Sequence, residues 1–347
     1  MKAIGLYKYL PVSDKNSLMD IEIEKPSATG RDVLVEVRAI SVNPVDTKIR
    51  SPKSTIETTP KVLGWDVAGV VVEVGKEVQL FKVGDEVFYA GSITRPGCNS
   101  EYHLVDERIV GNKPKTLSFE EAAALPLTAI TAWESLFEKL MIEPGKTTKN
   151  KRSSLLIIGG AGGVGSIAIQ LAKQVAGIGN VVVTAARPES VEWCTRMGAD
   201  ACISYKSGIK SGLKSSGIES FDYILCCNSL EKYFDEMVET IKPNGKICSI
   251  VTTKNGEPLE MNQLQTKSVT FAFELMFTKS IFETEDMDTQ NILLDKVAEY
   301  IDSGVIKTTL NKVLGPINAD KLREAHRLLE TGEAVGKIVL SGFKTEA

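Results

Sequence analysis

The chain has 347 residues, of which 43% are hydrophobic and 25% are charged. This length favours two domains, and the composition is that of a globular protein with a large core. The formal net charge of -4 gives no electrostatic reason to expect a nucleic-acid partner.

The N-terminal sequence and the cysteine usage lead us to expect a cytoplasmic protein. The first fifteen residues lack the apolar segment of a signal peptide. The longest uncharged window, 155–172, contains five glycines and reads as strand, turn and helix, so we expect no membrane span. The six cysteines are scattered and none forms a C-x-x-C pair, which favours free thiols in a reducing compartment.

The first 125 residues are predicted to be rich in β-strands. Ser118 and Glu121 then form a capping-box pattern, which predicts the start of a helix, and helical spacing resumes from 129 to 140. Strands are predicted over the runs 33–37, 67–74 and 78–88, the last with a Gly-Asp turn between two strands.

The middle of the chain alternates apolar strands with helices, which predicts an α/β doubly wound parallel sheet. Before it, 141–153 reads as a polar connector whose basic run, 146–152, is interpreted as a solvated loop. Helices are expected at 290–303 and 319–331, before a last strand at 337–340. The sheet strands are predicted at 155–158, 181–184, 201–203, 221–226, 246–251 and 268–273.

A glycine-rich stretch after the first of these strands predicts dinucleotide binding. Gly160, Gly162 and Gly165 satisfy G-x-G-x-x-G, with an apolar strand before them and helical spacing after them. Glycines allow a tight turn, a close approach of backbone N–H groups to a pyrophosphate, and close packing of helix and strand. The pattern alone is weak, because a tight turn in an ordinary α/β unit has the same sequence. The flanking strand and helix favour the cofactor.

The end of the second strand favours NADPH over NADH. An NAD enzyme usually places an acid there, whereas an NADP enzyme offers an arginine. Here the strand is followed by Ala185, Ala186 and Arg187, without an acid. Glu189 follows Pro188 and is interpreted as a helix-start residue. Arg187 as a solvated surface residue is the alternative.

These motifs, with others in order along the chain, resemble the medium-chain dehydrogenase/reductase superfamily. The closer resemblance is to its quinone oxidoreductase and zinc-type alcohol dehydrogenase-like branch. The matching segments include SVNPVDTKIR (41–50), LGWDVAGVVVEVG (63–75), AALPLTAITAWESL (123–136), GGAGGVGSIAIQLAK (159–173), KPNGKICSI (242–250) and GKIVL (336–340).

The resemblance implies a two-domain architecture. It implies a GroES-like, β-rich catalytic domain at 1–127, completed by 274–347, and a Rossmann NADP-binding domain at 128–273. In such proteins the active site lies in the cleft between the domains. Homodimers often form through the edge strands of the Rossmann sheets, here 268–273.

The resemblance also implies where a catalytic zinc would bind, and the residues there are not zinc ligands. The ligand cysteine position is Asn43, and the G-H-E segment reads Gly64-Trp65-Asp66. Catalytic zinc needs three protein ligands and an open position. The four-cysteine structural lobe is missing as well, since Cys98 is the only cysteine before residue 194. We therefore expect no metal.

Without zinc, the expected chemistry is hydride transfer from NADPH to an electrophilic acceptor. The resemblance places Asn43 and Asp46 near the nicotinamide, where Asn43 would hydrogen-bond a carbonyl and Asp46 would relay a proton. A capped turn is the structural alternative. Lys48 stands where relatives often carry a tyrosine. It is interpreted either as stabilising charge on a quinone oxygen or as a solvated residue.

The predicted function is a zinc-independent, NADPH-dependent quinone oxidoreductase acting on a small molecule. The alternatives are an enal or enone reductase and a non-catalytic NADPH-binding protein; a zinc alcohol dehydrogenase is disfavoured. The expected cofactor-binding residues are Thr131, Gly160, Gly162, Gly163, Val164, Thr184, Arg187, Tyr205, Asn228, Val251 and Lys337.

Overall fold

The computed structural model describes residues 1–206, 208–213 and 218–343, and the chain divides into two compact units. Unit 1 comprises Met1–Leu127, Phe277–Gly304 and the described residues from Thr308 onward. Unit 2 comprises Thr128–Met276 and Val305–Lys307. The first 127 residues thus form most of unit 1, and its last strands and helices follow unit 2 in the sequence.

Strands are spread over the whole described chain. In chain order they are β1 (Lys2–Tyr9), β2 (Met19–Glu22), β3 (Asp32–Val42), β4 (Lys53–Val62), β5 (Val67–Val74), β6 (Glu86–Tyr89), β7 (Tyr102–Asp106), β8 (Val110–Asn112), β9 (Ser154–Ile158), β10 (Asn180–Thr184), β11 (Ala201–Ile203), β12 (Phe221–Cys226), β13 (Ile241–Ser249), β14 (Thr270–Phe273), β15 (Leu310–Val313) and β16 (Lys337–Ser341).

Helices connect the strands in unit 2, whereas unit 1 contains several short helices and the two longest helices of the described chain. No helix within the described ranges is long and apolar enough to cross a membrane. The helices are α1 (Pro44–Arg50), α2 (Phe119–Ala123), α3 (Pro126–Trp133), α4 (Thr148–Arg152), α5 (Gly163–Gln170), α6 (Pro188–Met197), α7 (Ile209–Leu213), α8 (Leu230–Thr240), α9 (Asn262–Gln265), α10 (Thr278–Phe282), α11 (Thr289–Asp302) and α12 (Ala319–Glu330).

Unit 2 is built on a six-stranded parallel sheet in the order β11-β10-β9-β12-β13-β14. Counted within the unit, this order is 3-2-1-4-5-6, which is typical of the Rossmann fold. Every residue of β9 is buried, as expected for a central strand covered on both faces. The predicted α/β doubly wound sheet is confirmed, although β13 begins five residues earlier than the predicted 246.

Unit 1 contains a seven-stranded sheet in which β3 is central. The strand path is β15-β16-β3-β5-β6-β8, and β7 also pairs with β3. A smaller antiparallel sheet has the order β2-β1-β4. β16 pairs antiparallel with β3, and this register places Ile338 opposite Val42. The pairing brings Lys337, near the end of the chain, beside the start of α1.

Two local predictions were wrong. The strand predicted at 78–83 does not form, because the N–H groups of Gln79 and Leu80 both donate to the Glu107 carboxylate, at 2.7 Å. A side chain thus takes the donors that a strand would need. The basic run predicted as a loop contains α4, whose start is capped by the Thr147 hydroxyl, 3.1 Å from the Asn150 N–H.

Candidate functional site

The glycine loop joins β9 to α5 and is anchored to the next strand. The Gly159 N–H donates to Thr184 Oγ1 at 2.8 Å, and the Gly160 N–H donates to the Thr184 carbonyl at 3.3 Å. Gly159 has φ +92°, a left-handed conformation that glycine adopts without strain. Thr184, predicted at the cofactor site, therefore holds the backbone of the loop in place.

The three motif glycines meet different surroundings. A Cβ on Gly160 would lie 2.6 Å from Val183 Cβ, and one on Gly165 would lie 2.6 Å from the Gly160 carbonyl oxygen, so both positions require glycine for packing. A Cβ on Gly162 would meet only the Gly159 carbonyl oxygen, at 3.6 Å. Gly162 is exposed, so a side chain there would fill space that a ligand could otherwise use.

The loop fits the pyrophosphate of a dinucleotide. Gly162 is the N-cap of α5, and Gly163 and Val164 are its first two residues. The first N–H groups of a helix have no carbonyl partner within the helix, and the helix dipole adds positive potential there. An open cap and a glycine at the point of closest approach together favour an anion.

A basic residue stands at the end of β10. Arg187 is the N-cap of α6, which begins at Pro188, and its side chain is one-third exposed. Its Nε lies 3.4 Å from Glu189 Oε1. The acid expected of an NAD enzyme is missing from the strand end, whereas the arginine expected of an NADP enzyme is present.

Two further predicted residues lie at the same edge of the sheet as the glycine loop. β12 pairs with β9 so that Cys226 is opposite Ile158, and Asn228 follows just beyond. The Asn228 amide nitrogen is 3.1 Å from the position of a Cβ on Gly159. Val251 follows β13, and its carbonyl accepts a 2.7 Å hydrogen bond from Ser249 Oγ. Ligands of open α/β sheets bind at this carboxyl edge.

Two predicted cofactor residues, Tyr205 and Thr131, are described by other contacts than contacts with the glycine loop. Tyr205 follows β11, is half-buried, packs against the hydrophobic core of unit 2, and has Lys232 Nζ 5.8 Å from its ring centroid. Thr131 lies buried in α3. The predicted cofactor contacts of both residues stay predictions.

In unit 1, Asn43 belongs to a buried cluster with Asp66 and Lys337. The Asn43 amide nitrogen donates to Asp66 Oδ2 at 2.8 Å, and Lys337 Nζ donates to the same oxygen at 3.0 Å. Lys337 also donates to Asn43 Oδ1 and to the Val42 carbonyl, the latter at 3.1 Å. All three ammonium donors are thus used inside the protein. The contact predicted between Lys337 and the cofactor phosphates stays a prediction.

Asp46 both caps α1 and holds an unused acceptor. Its Oδ2 accepts the Asn43 N–H at 2.8 Å, as the capped-turn interpretation expects. Its Oδ1 is buried, and no hydrogen-bond partner is found for it in the described structure. Burial raises the pKa of Asp46 to about 7, against the lowering effects of the Asn43 N–H and Lys337. Asp46 can therefore gain or lose a proton near neutral pH.

Lys48 lies in the last turn of α1 and is exposed. Its carbonyl accepts hydrogen bonds from the N–H and the hydroxyl of Ser51, at 3.3 and 2.6 Å. These contacts end the helix and leave the ammonium on the surface. Both interpretations of Lys48, charge stabilisation and a solvated residue, stay open.

The residues of this cluster do not fit a zinc ion. The indole N–H of Trp65 donates to the Ser92 carbonyl at 2.9 Å, and indole is not a zinc ligand. The Lys337 ammonium lies against Asp66, the one carboxylate that the G-W-D segment supplies. A cation placed there would be repelled by that ammonium.

Asp66 is the member of this cluster that the sequence analysis did not include among the expected site residues. It ends the altered G-H-E segment, it is fully buried, and its Oδ1 also accepts the Leu127 N–H at 2.8 Å. The available signal was an acid between Trp65 and Val67, both apolar. A buried acid of this kind needs a basic partner.

The described cysteines are free, and Cys202 is expected to be the most reactive of them. A hydrogen bond with Cys194 lowers the pKa of the Cys202 thiol despite its partial burial. Burial raises the pKa of the Cys227 thiol, which serves as a control. At pH 7.5, iodoacetamide should label Cys202 first, because the thiolate is the nucleophile. Peptide mapping that finds Cys227 labelled first would contradict this.

Comparisons with known proteins agree with this architecture. The alcohol dehydrogenase GroES-like domain family matches residues 29–126, and the zinc-binding dehydrogenase family matches residues 163–295. A zinc-type alcohol dehydrogenase-like protein of Staphylococcus epidermidis is 39% identical over 98% of this chain and 99% of its own length. The chloroplastic NADPH-dependent alkenal/one oxidoreductase of Arabidopsis thaliana is 34% identical over 93% of this chain and 75% of its own length.

Two solved structures show the same fold. A putative zinc-dependent alcohol dehydrogenase of Rhizobium etli is 46% identical, with a TM-score of 0.92 and 99% of both chains covered. The Escherichia coli quinone oxidoreductase complexed with NADPH is 25% identical, with a TM-score of 0.80, 98% of this chain and 100% of that chain. From its glycine loop, its two units and these relatives, we conclude that the chain is an oxidoreductase of the medium-chain dehydrogenase/reductase superfamily.

Proposed function

We propose that this protein transfers hydride from NADPH to a quinone without a metal. The observation that carries the proposal is the buried Lys337 ammonium, bound to Asp66 and to Asn43, which stands where zinc-type enzymes carry a ligand cysteine. Zinc serves in such enzymes as a Lewis acid. A quinone is already electrophilic and accepts hydride without one.

The residues of unit 2 would bind and orient the cofactor, which supplies the hydride when bound. Arg187 would bind the 2′-phosphate, and the first turn of α5 would bind the pyrophosphate. NADPH is named for two of the similar proteins, the Escherichia coli and Arabidopsis enzymes. The remaining proposed contacts in unit 2 are Thr131, Gly160, Gly162, Gly163, Val164, Thr184, Tyr205, Asn228 and Val251, and Lys337 is the proposed contact from unit 1.

In unit 1, Asn43, Asp46 and Lys48 would act on the acceptor. A quinone that accepts hydride also needs a proton to become a hydroquinone. Asp46 is suited to hold that proton, because its pKa of about 7 lies near the working pH. Lys48 would stabilise the negative oxygen that develops before protonation.

The second candidate is reduction of an enal or enone at its carbon–carbon double bond. The name of the Arabidopsis relative, an alkenal/one oxidoreductase, favours it. A third candidate, an NADPH-binding protein with little turnover, predicts tight binding without acceptor reduction. We further propose a cytoplasmic homodimer that pairs through the edge strand β14. Gel filtration with light scattering tests the dimer.

The proposed function is tested by NADPH oxidation with chelator-treated protein. A simple quinone, an enal and an alcohol with NADP⁺ would be compared, and NADH would be run beside NADPH. Rapid quinone turnover with NADPH supports the proposal. Turnover of the enal without turnover of the quinone favours the second candidate, reduction of an enal or enone. Alcohol oxidation restored only by added zinc contradicts the metal-free mechanism.

Replacing Arg187 with alanine should weaken NADPH binding about 10- to 100-fold and leave NADH binding nearly unchanged. The lost contact is a charge-assisted hydrogen bond, which contributes roughly 1.5–3 kcal/mol. Arg196→Ala is the control, because Arg196 lies in the last turn of α6, away from the strand end, with its guanidinium 4.6 Å from the Trp193 ring centroid. Equal losses for both cofactors would assign Arg187 a structural role instead. Fluorescence titration measures both.

A further inference from the structure

A basic cavity lies at the edge of the unit 2 sheet opposite the glycine loop. Its volume is about 540 Å³, within the range of small-molecule sites. Residues of α4, of the start of β12 and of the first half of β13 line it. These are amino ends of parallel strands, whereas the glycine loop follows the carboxyl end of β9. The cavity is therefore separate from the proposed cofactor site.

Four cations converge on this cavity, and they outnumber its acids. Lys149 and Arg152 come from α4, and Lys242 and Lys246 come from β13. The lining contains one carboxylate, Asp222, which lies 2.8 Å from Lys242 Nζ. The same Asp222 oxygen also accepts the Ser154 N–H at 2.7 Å. The acid is thus occupied, and three positive charges are left over.

The excess charge is unpaired, with Lys149 and Arg152 exposed and Lys246 partly buried. Lys149, Arg152 and Lys246 have no ion pair among the residues that the structure describes. Burial, and then repulsion by Lys149, lower the pKa of Lys246. Like charges gathered in a concave surface repel each other, and a bound polyanion removes that repulsion.

We propose that this cavity binds a small molecule with two or three phosphoryl groups. An arginine fork with lysine ammonium groups suits phosphate oxygens, and three unpaired cations call for at least two phosphoryl groups. The cavity is concave and of small-molecule size, and the chain as a whole carries a net charge of -4. These features favour a compact ligand over a nucleic acid.

Calorimetry with the full chain and inorganic tripolyphosphate tests the site. The protein would be saturated with NADP⁺ in 0.15 M salt, so that the glycine loop is already occupied. We expect saturable binding, at least tenfold tighter than that of orthophosphate. The triple variant Lys149→Gln, Arg152→Gln, Lys246→Gln should bind tripolyphosphate at least tenfold more weakly. No binding by the unmodified chain would overturn the proposal.

A matched control separates the site from general charge effects. The triple variant Arg38→Gln, Lys76→Gln, Lys312→Gln removes the same charge from exposed residues of unit 1 and should bind like the unmodified chain. Equal losses in both triple variants would overturn the proposal. So would a single-stranded oligonucleotide that binds here and is not displaced by tripolyphosphate. Thermal unfolding checks that both variants fold.

Discussion

Replacing Lys337 with alanine is expected to lower the free energy of unfolding by about 3–5 kcal/mol. Lys337 is 3% exposed and lies 3.0 Å from the carboxylate of Asp66, which is fully buried. The substitution leaves that carboxylate in the core without the positive charge that offsets its desolvation. Urea denaturation followed by circular dichroism measures the change.

Two further variants make the Lys337 result specific. Lys296→Ala removes an exposed lysine that pairs with Glu299 at 2.6 Å, and it should cost less than about 1 kcal/mol. Adding Asp66→Asn to Lys337→Ala should recover part of the loss, because an amide carries no charge. If Lys337→Ala does not fold, a double variant that folds still shows that the uncompensated charge of Asp66 causes the loss of stability. Equal stability of Lys337→Ala and the unmodified chain would contradict the prediction.

The same variant should become more sensitive to pH. Burial raises the pKa of Asp66, and Lys337 opposes that rise. Without Lys337, the folded protein should hold a proton on Asp66 at a pH where the unfolded chain has released it. Stability then falls as pH rises through the raised pKa. The difference between variant and unmodified chain should therefore shrink toward pH 5.

The Rossmann sheet could be predicted because its information is local. β9, β10 and β12 are apolar runs bounded by turns, and a strand buried on both faces needs little else. The glycine loop could be predicted for the same reason, since its three glycines, the strand before them and the helix after them are contiguous in the sequence. The glycine loop and the two strands beside it, β9 and β10, all lie within residues 154–184.

The Asn43 cluster could not be predicted in the same way. Asn43 and Lys337 are 294 residues apart, and only the register of β16 against β3 brings them together. A sequence pattern does not report such a register. The resemblance marked each residue separately, but the ion pair between Lys337 and Asp66 comes from the fold.

For the basic run in 146–152 as well, the sequence did not indicate which distant residues lie beside it. A solvated loop is the usual interpretation of such a run, and α4 does expose Lys149 and Arg152. The structure adds Lys242 and Lys246 from β13 to the same cavity. The local sequence did not indicate that these cations share one cavity.

The glycine loop allows cofactor binding and folding to be separated with two substitutions. Gly165→Ala should destabilise the protein by about 1–3 kcal/mol even without cofactor, since its Cβ would lie 2.6 Å from the Gly160 carbonyl oxygen. Gly162→Ala should change stability by less than about 1 kcal/mol, because alanine is a poorer N-cap than glycine but restricts the unfolded chain. At Gly162 the backbone is extended, with φ -74°, and a Cβ has room.

NADPH binding, unlike stability, should be strongly affected by Gly162→Ala. A methyl group there would fill the exposed space beside the first N–H groups of α5, so we expect NADPH binding to weaken about 10- to 100-fold, or roughly 1.4–2.8 kcal/mol. Fluorescence titration of NADPH, with thermal unfolding of the apoprotein beside it, measures both effects. If Gly162→Ala binds NADPH as tightly as the unmodified chain, the pyrophosphate does not bind over Gly162. The loop would then be a turn that packs α5 against β9, as the alternative interpretation of the motif holds.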